Sequence, residues 1–201
     1  EKIRHELNFL RSQINPHFLF NALNNLHAVV QLNPEKAGDY ILKLGDMLRY
    51  VLEDCKKEKV SLSDEIKYLE NYIFFQKQKD ADFRNIQFEV SGDDPSNFHL
   101  EPMLFIALAE NAFEHSYSEN SANRFVDIRL ELKDGTLTFM TQNNLSDEEK
   151  PVHILGRNQP GVGLQNIKRR LELLYPQNHQ LTHEKRGDIY FAELIIQKLP
   201  I

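Results

Sequence analysis

A stretch that begins at Gln13, QINPHFLFNALNNL, places a histidine among residues that a packing helix does not need. Pro16 precedes His17 and removes one backbone N–H, which can kink a helix and open the backbone beside the imidazole. A neutral imidazole nitrogen is a competent nucleophile toward phosphorus when it is exposed and oriented. Asn21 and Asn24 share a helical face with Gln13, and an amide there can fix the imidazole tautomer. The more common alternative for a lone histidine is a surface or satisfied core position.

A group of polar residues interrupts an apolar run in AENAFEHS, residues 109–116. On a helix, Asn111 and His115 are four residues apart and share a face, as Glu110 and Glu114 do. The Asn111 amide oxygen is a hard ligand of the kind that Mg²⁺ prefers, with waters and phosphates completing its shell. The alternative is an ordinary amphipathic helix whose polar side meets water.

Two glycines, Gly161 and Gly163, precede an amphipathic helix in PGVGLQN. The backbone can approach a phosphate closely there, and the first N–H groups of the helix point at the anion. The preceding residues, 144–162, are polar and irregular, and long loops in compact domains are often functional. Glycines are also common at a loop-to-helix junction for structural reasons alone. The pattern therefore favours a phosphate-binding loop without requiring one.

The segment TLTFMTQNN alternates like a strand, with Leu137, Phe139 and Thr141 on one face. Asn143 then falls on that same face at the end of the strand. Its side-chain oxygen can accept a hydrogen bond from the amino group of a nucleobase. A turn-forming pair of asparagines is the alternative.

Hydrophobic periodicity assigns these motifs to elements of secondary structure. Helices are predicted over residues 2–31, from 34 to about 57, from 61 to 79, over 101–116 and over 161–175. Strands are predicted over 85–92, on both sides of Asp134–Gly135 within 124–144, and on both sides of Gly187–Asp188 within 179–197. The first two helices form a hairpin with little core of its own, which favours pairing with a second copy. After a boundary near residue 60 the chain is α+β.

Two helix starts carry signals of their own. Asn33 can cap the second helix, which has a proline at its first position. Ser61 or Ser63 can cap the third helix, where the acids Asp64 and Glu65 suit the positive end of the helix dipole.

The composition bounds the class of protein. The 201 residues are 41% hydrophobic and 27% charged, as in soluble globular domains. The net charge of -6 does not favour a nucleic-acid partner. Cys55 is the single cysteine, so no internal disulfide can form. No stretch reaches the roughly 20 apolar residues of a membrane span, and the start at Glu1 within a predicted helix leads us to expect a fragment of a longer protein.

The order of QINPHFLFNALN, an ENAxxH helix, a strand ending in asparagine and GVGLQNIKRRLELLY resembles the LytS/YehU type of sensor histidine kinase. The resemblance covers essentially the whole chain, and its first and last motifs are long and specific. It implies an α+β fold with two parts. Residues 1–60 would be a dimerising and phosphotransfer helical hairpin, and residues 61–201 a two-layer α/β sandwich of the GHKL (Bergerat) ATPase type, shared with gyrase, Hsp90 and MutL.

The resemblance also implies roles for single residues. His17 would be the phosphoacceptor, Asn111 the Mg²⁺ ligand and Glu110 a catalytic group beside it. Asn143 takes the place of the aspartate that related ATPases direct at the adenine, and Glu114 stands where the family often has a lysine. The further implied nucleotide contacts are His115, Gly161, Gly163, Leu164, Asn166 and Arg170.

The implied activity is autophosphorylation from ATP with Mg²⁺, followed by transfer to an aspartate of a response regulator, which we expect to be of the LytTR type. The implied assembly is a homodimer, and the implied location is the cytoplasmic domain of an inner-membrane protein anchored through residues before Glu1. Two alternatives stay open. One is a catalytically weak or inactive dimeric scaffold of the same fold, and the other is an ATPase that hydrolyses ATP and makes no use of His17.

Overall fold

The computed structural model describes the chain over four main ranges. These are residues 33–79, 85–116, 124–145 and 162–197, together with Leu23, Leu26, residues 29–31 and Phe83. His17, Gly161 and the irregular segment 146–161 lie outside the described residues, so what is predicted for them stays a prediction. The helix predicted over 2–31 is described at positions 23, 26 and 29–31, and all of these are helical.

After the predicted hairpin region the chain consists of strands interrupted by helices, as the sequence predicts. The described helices are α1 (Pro34–Leu52), α2 (Leu62–Lys79), α3 (Ile106–His115) and α4 (Val162–Leu174). The strands are β1 (Val60–Ser61), β2 (Asn85–Gly92), β3 (His99–Leu100), β4 (Phe125–Lys133), β5 (Thr136–Asn144), β6 (His179–Arg186) and β7 (Ile189–Ile196). No helix in the described ranges combines the length and the apolar composition that a membrane crossing requires.

Five strands form the main sheet, in the order β2-β4-β5-β7-β6. β2 runs parallel to β4, whereas β4, β5, β7 and β6 pair antiparallel with their neighbours. The two hairpins turn at Asp134–Gly135 and Gly187–Asp188, where the sequence places them. The parallel pair needs a long connection, and α3 lies within it. β1 and β3 form a separate two-stranded ladder that the sequence analysis does not predict.

The helices stack on one face of this sheet. α3 contacts β4 and β5 directly, α4 contacts α3 and β6, α2 contacts α3, and α1 contacts α2. Side chains on the other face of the sheet, such as Arg129, Glu131 and Gln180, are exposed. The fold is therefore α+β with a helical layer over a mixed sheet, and the predicted fold class is confirmed.

A single buried cluster runs from α1 to β7. Tyr40 and Met47 of α1 belong to the same cluster as Leu108 of α3 and Leu194 of β7. Within this cluster the Phe105 ring stacks on the Phe139 ring of β5, with ring centroids 4.8 Å apart. The described second half of the predicted hairpin thus shares one core with the α+β part. The boundary near residue 60 stays a prediction.

The ends of the first two described helices differ in part from the expected ones. α1 has Asn33 at its N-cap position, but the side chain makes no capping hydrogen bond. α1 ends at Leu52, and a short 3-10 helix over Asp54–Lys56 replaces its predicted continuation to about residue 57. Before α2, Ser61 Oγ accepts a hydrogen bond from Asp64 N at 3.1 Å, which confirms the predicted serine cap.

The helix predicted over 101–116 is wrong in its first turn, because α3 begins only at Ile106. Met103 has φ of +60°, a left-handed conformation that costs a bulky residue about 1–2 kcal/mol. The segment Pro102–Leu104 is therefore held by contacts from outside, and these contacts are part of the site described below.

Gly92 ends β2 in a conformation that excludes a side chain. Its φ is +100°, and a Cβ there would lie 1.9 Å from the Leu132 carbonyl oxygen. That oxygen already accepts the Asp93 N–H at 2.7 Å, so it cannot move away without a loss. We expect Gly92→Ala to lower the free energy of unfolding by about 2–3 kcal/mol in urea denaturation.

The matched control is Gly135→Ala in the β4–β5 turn. Gly135 also has a positive φ, of +72°, but a Cβ added there would meet no other atom within 4 Å. Gly135→Ala should therefore show only the conformational cost of about 1 kcal/mol. Equal losses in the two variants would contradict the steric explanation for Gly92.

Candidate functional site

One side of α3 is polar and stands beside the core. The opposite side is buried through Ile106, Leu108, Ala109, Ala112 and Phe113. Glu110, Asn111 and Glu114 are half-buried, and His115 is exposed. The helical spacing predicted for these four residues is confirmed. Asn111 is thus accessible on a helix whose buried side holds it firmly in place.

Two buried tyrosines of α2 are close enough to the polar side of α3 for its carboxylates to affect their pKa values. Burial raises the pKa of Tyr68, and the negative charge of Glu110 raises it further. The pKa of Tyr72 is also raised by burial, and then by Glu110 and Glu114. Both phenols therefore stay protonated at neutral pH and keep their O–H groups as hydrogen-bond donors.

Asn143 ends the buried face of β5. Its side chain is 0% exposed and lies between Val126 and Tyr190 on the neighbouring strands. Nδ2 donates to the Asn144 carbonyl at 3.0 Å, but Oδ1 has no hydrogen-bond partner among the described residues. A buried acceptor without a donor costs about 1–3 kcal/mol. The amide oxygen is thus suited to a donor that a ligand brings, such as a nucleobase amino group.

The end of α3 meets the end of β5. Ser116 Oγ, directly after α3, lies 3.1 Å from the Phe125 carbonyl oxygen and 3.3 Å from Asn144 Oδ1. Asn144 Oδ1 also accepts the Phe125 N–H at 3.1 Å. The C-terminal end of α3, the helix that carries Asn111, is therefore held beside the end of β5 that carries Asn143.

α4 is a further element of the candidate site, because it contacts α3. Ile167 and Leu171 are buried, whereas Leu164 and Asn166 are half-buried, so the predicted apolar face of the helix is confirmed. Gly163 lies in the first turn of α4, and Gly161 lies outside the described residues. The nucleotide roles of these residues stay predictions.

Arg170 of α4 is buried rather than open to a ligand. Its side chain is 6% exposed, Nη1 donates to the Met103 carbonyl at 2.8 Å, and Nη2 donates to the Pro102 carbonyl at 2.7 Å. The guanidinium thus holds the segment that leads into α3. Its predicted contact with nucleotide stays a prediction, and any effect on nucleotide would also act through this segment.

Glu65 lies in the first turn of α2, as the sequence analysis predicts, but its side chain is buried and has specific partners. It is 2% exposed, and its carboxylate accepts hydrogen bonds from the Tyr50 hydroxyl, from Met103 N at 2.6 Å and from Leu104 N at 3.2 Å. Burial raises the pKa of the Glu65 carboxyl, while these three donors and the Arg170 charge oppose the rise.

A signal for this burial is present in the sequence. Leu62 lies three residues before Glu65 and Leu69 four residues after it, so all three side chains share one helical face. Both leucines are buried, with exposures of 0% and 1%. An acidic residue between buried leucines is more readily explained by buried hydrogen-bond partners than by the helix dipole. Asp64 is exposed, and an interaction with the helix dipole explains its position instead.

A magnesium site made of protein side chains alone is not present in the described ranges, where no three His, Cys, Asp or Glu residues cluster suitably. The donor set fits a Mg²⁺ ion that takes one oxygen from Asn111 and further oxygens from phosphates and water. Asn143 Oδ1 offers the matching acceptor for an adenine amino group. The described residues thus fit Mg-ATP.

Comparison with known families gives a match to the histidine kinase family over residues 5–82, a range that includes His17. Among solved structures, the histidine kinase domain of a blue-light activated histidine kinase from Erythrobacter litoralis aligns with a TM-score of 0.49 and 15% identity, covering 98% of this chain and 95% of that chain. The catalytic domain of the histidine kinase ThkA aligns with a TM-score of 0.48 and 18% identity, covering 70% of this chain and 94% of that chain.

Curated relatives resemble most of the chain. The sensor histidine kinase/phosphatase LytS of Staphylococcus aureus is 28% identical over 187 residues, which cover 89% of this chain and 32% of that protein. The sensor histidine kinase YpdA of Escherichia coli is 28% identical over 200 residues, which cover 98% of this chain and 35% of that protein. The chain therefore spans about a third of the length of these relatives.

Proposed function

We propose that this chain, whose family match and relatives support a LytS-type histidine kinase fragment, phosphorylates its own His17 from Mg-ATP. The observation that carries the proposal is the histidine kinase family match over residues 5–82, in one chain with an α+β part. We assign the nucleotide chemistry to that second part, because Asn111 is on α3 and the C-terminal end of α3 contacts the end of β5, where buried Asn143 has an unpartnered oxygen.

The proposed reaction is an in-line transfer. One imidazole nitrogen of His17 forms a bond to the γ-phosphorus while the bond to the β–γ bridging oxygen breaks, ADP leaves, and the imidazole loses a proton. Asn111 would hold the metal, and Asn143 would orient the base by accepting a hydrogen bond from its adenine amino group. Bound Mg²⁺ neutralises the charge of the phosphates. Catalysis then rests on positioning and charge neutralisation.

Further steps of the proposal concern partners. The phosphoryl group would pass to an aspartate of a response regulator, which we expect to be of the LytTR type. We propose a homodimer, because α1 leaves apolar side chains on its surface, with Leu42 72% exposed and Ile41 54% exposed. In a full-length membrane sensor this chain would lie on the cytoplasmic side, where ATP is available.

The test is an incubation of the protein with Mg²⁺ and ATP labelled at the γ-phosphate. An acid-labile, base-stable label on the protein is expected. Release of free labelled phosphate without protein label would instead indicate an ATPase, and neither label nor phosphate would indicate a scaffold. Light scattering on the same sample should give the mass of a dimer at tens of micromolar.

The role of Asn143 can be tested with a substitution of similar volume, Asn143→Leu. The variant removes the unpartnered buried oxygen and also the Nδ2 donor to the Asn144 carbonyl; these effects oppose each other, so the free energy of unfolding should change by no more than about 1 kcal/mol. Affinity for ATP should fall about tenfold, because one hydrogen bond to the base is lost. The control ligand is ITP, which lacks the amino group. In calorimetry the parent should prefer ATP over ITP and the variant should not, and an unchanged preference would refute the assignment.

A further inference from the structure

The hydrogen bonds of Glu65 connect three helical parts of the molecule through its interior. Tyr50 belongs to α1, Glu65 to α2, and Met103 to the segment that leads into α3. The Met103 N–H donates a hydrogen bond to Glu65, and the Met103 carbonyl oxygen accepts one from Arg170 of α4. A buried hydrogen-bonded network thus runs from Tyr50 through the Glu65 carboxylate and Met103 to Arg170 of α4.

Every residue of this hydrogen-bonded network is buried, which makes the network rigid. Tyr50, Glu65, Met103 and Arg170 are all at most 6% exposed. A buried donor or acceptor that loses its partner is not compensated by water. The positions of these helices relative to one another are therefore fixed more strictly than by side-chain packing, which tolerates small shifts.

The two ends of this hydrogen-bonded network belong to the two parts of the molecule that the proposed reaction brings together. Residues 102–104 lead directly into α3, which carries Asn111, and Arg170 is on the helix that begins at Val162. Tyr50 is on α1, the second helix of the predicted hairpin whose first helix carries His17. A shift of α3 or α4 on nucleotide binding would reach α1 through these contacts.

We propose that Tyr50 is a positioning residue, whose hydrogen bond to Glu65 sets the helical hairpin in register with the nucleotide site. The inference rests on the proposed function, since it concerns the alignment of His17 with the nucleotide. It assigns to one phenolic hydroxyl a large role in the transfer rate and at most a small one in nucleotide affinity. This separation between affinity and transfer rate is what distinguishes it from a purely structural role.

The variant that tests it is Tyr50→Phe, which removes the hydroxyl and keeps the ring. The matched control is Tyr40→Phe, which removes a hydroxyl from another buried tyrosine of α1, packed against Phe74 and Phe75. With Tyr50→Phe we expect labelling of His17 at saturating Mg-ATP to slow about tenfold or more. The dissociation constant for a non-hydrolysable ATP analogue should change less than about twofold. Tyr40→Phe should match the parent in both.

A second readout does not depend on transfer. Hydrogen exchange of the α1 backbone amides is measured with and without the ATP analogue. In the parent the analogue should change their protection, and in Tyr50→Phe it should not. An α1 that does not respond to the analogue in the parent overturns the inference, and so does a response that is equal in parent and variant.

The outcomes separate the two proposals. If the parent carries no label, the proposed kinase function fails, and the exchange measurement still decides whether Tyr50 couples α1 to the nucleotide site. If the parent is labelled and Tyr50→Phe is labelled at the same rate, only the positioning role fails. Equal slowing in Tyr40→Phe, or slowing that follows a weaker nucleotide affinity, also overturns the positioning role.

Discussion

His17→Gln is expected to abolish phosphoryl labelling of the protein. Glutamine has a polar side chain of comparable reach, but its amide nitrogen is not a nucleophile toward phosphorus, whereas a neutral imidazole nitrogen is. Nucleotide affinity should stay within about twofold of the parent value, because the proposed nucleotide contacts lie on α3, β5 and α4. Labelling is measured with γ-labelled ATP, and affinity by calorimetry with a non-hydrolysable analogue.

The matched control for this substitution is His99→Gln, since His99 is exposed on β3 and outside the proposed site. It should be labelled as the parent is. Label that persists in His17→Gln would mean that another histidine is the phosphoacceptor, and the assignment of His17 would be wrong.

Asn111→Ala is expected to weaken binding of the magnesium–nucleotide complex by about 30- to 1000-fold, and so to suppress labelling of His17. Loss of one coordination or charge-assisted contact is worth about 2–4 kcal/mol, which corresponds to that range. Mg²⁺ demands near-ideal geometry, and alanine removes the oxygen ligand altogether. The fold should remain intact, because the core side of α3 is on the opposite face from Asn111.

Three comparisons sharpen this prediction. Without Mg²⁺ the parent and Asn111→Ala should bind the ATP analogue equally weakly, because the lost contact is to the metal. Asn111→Asp keeps an oxygen but adds a negative charge near the phosphates. Gln87→Ala removes an exposed amide from the edge strand β2 and should bind as the parent does. Tight binding of the magnesium complex by Asn111→Ala would show that Asn111 is not the metal ligand.

Much of the fold can be predicted from sequence because its signals are local. Alternation over TLTFMTQNN correctly places Asn143 on the buried face of β5, and Asp134–Gly135 and Gly187–Asp188 correctly mark the two hairpins. The family resemblance is confirmed by the histidine kinase match and the relatives named LytS and YpdA. These features depend on residues that are close in sequence, or on motifs long enough to be specific.

What the sequence does not predict depends on contacts between distant residues. The late start of α3 follows from bonds of Met103 to Glu65 and Arg170, which are 38 and 67 residues away. Local propensity favours a helix there, but the backbone groups of residues 102–104 are taken by those side chains instead. For the same reason sequence reasoning assigns Glu65 to the helix dipole, since its partners cannot be identified without the fold.

Because a single core joins α1 to the sheet, the position of the junction matters when chimeras of this protein are made. A chimera that takes residues 1–60 from one relative and 61–201 from another would cut between Tyr50 and Glu65, and would pair Tyr40 and Met47 with foreign neighbours. If the relative has no hydroxyl at the position of Tyr50, such an exchange leaves the buried Glu65 carboxylate with one donor fewer. Functional hybrids should therefore keep the residues from Pro34 onward together, because Tyr40 and Met47 share one core with the sheet.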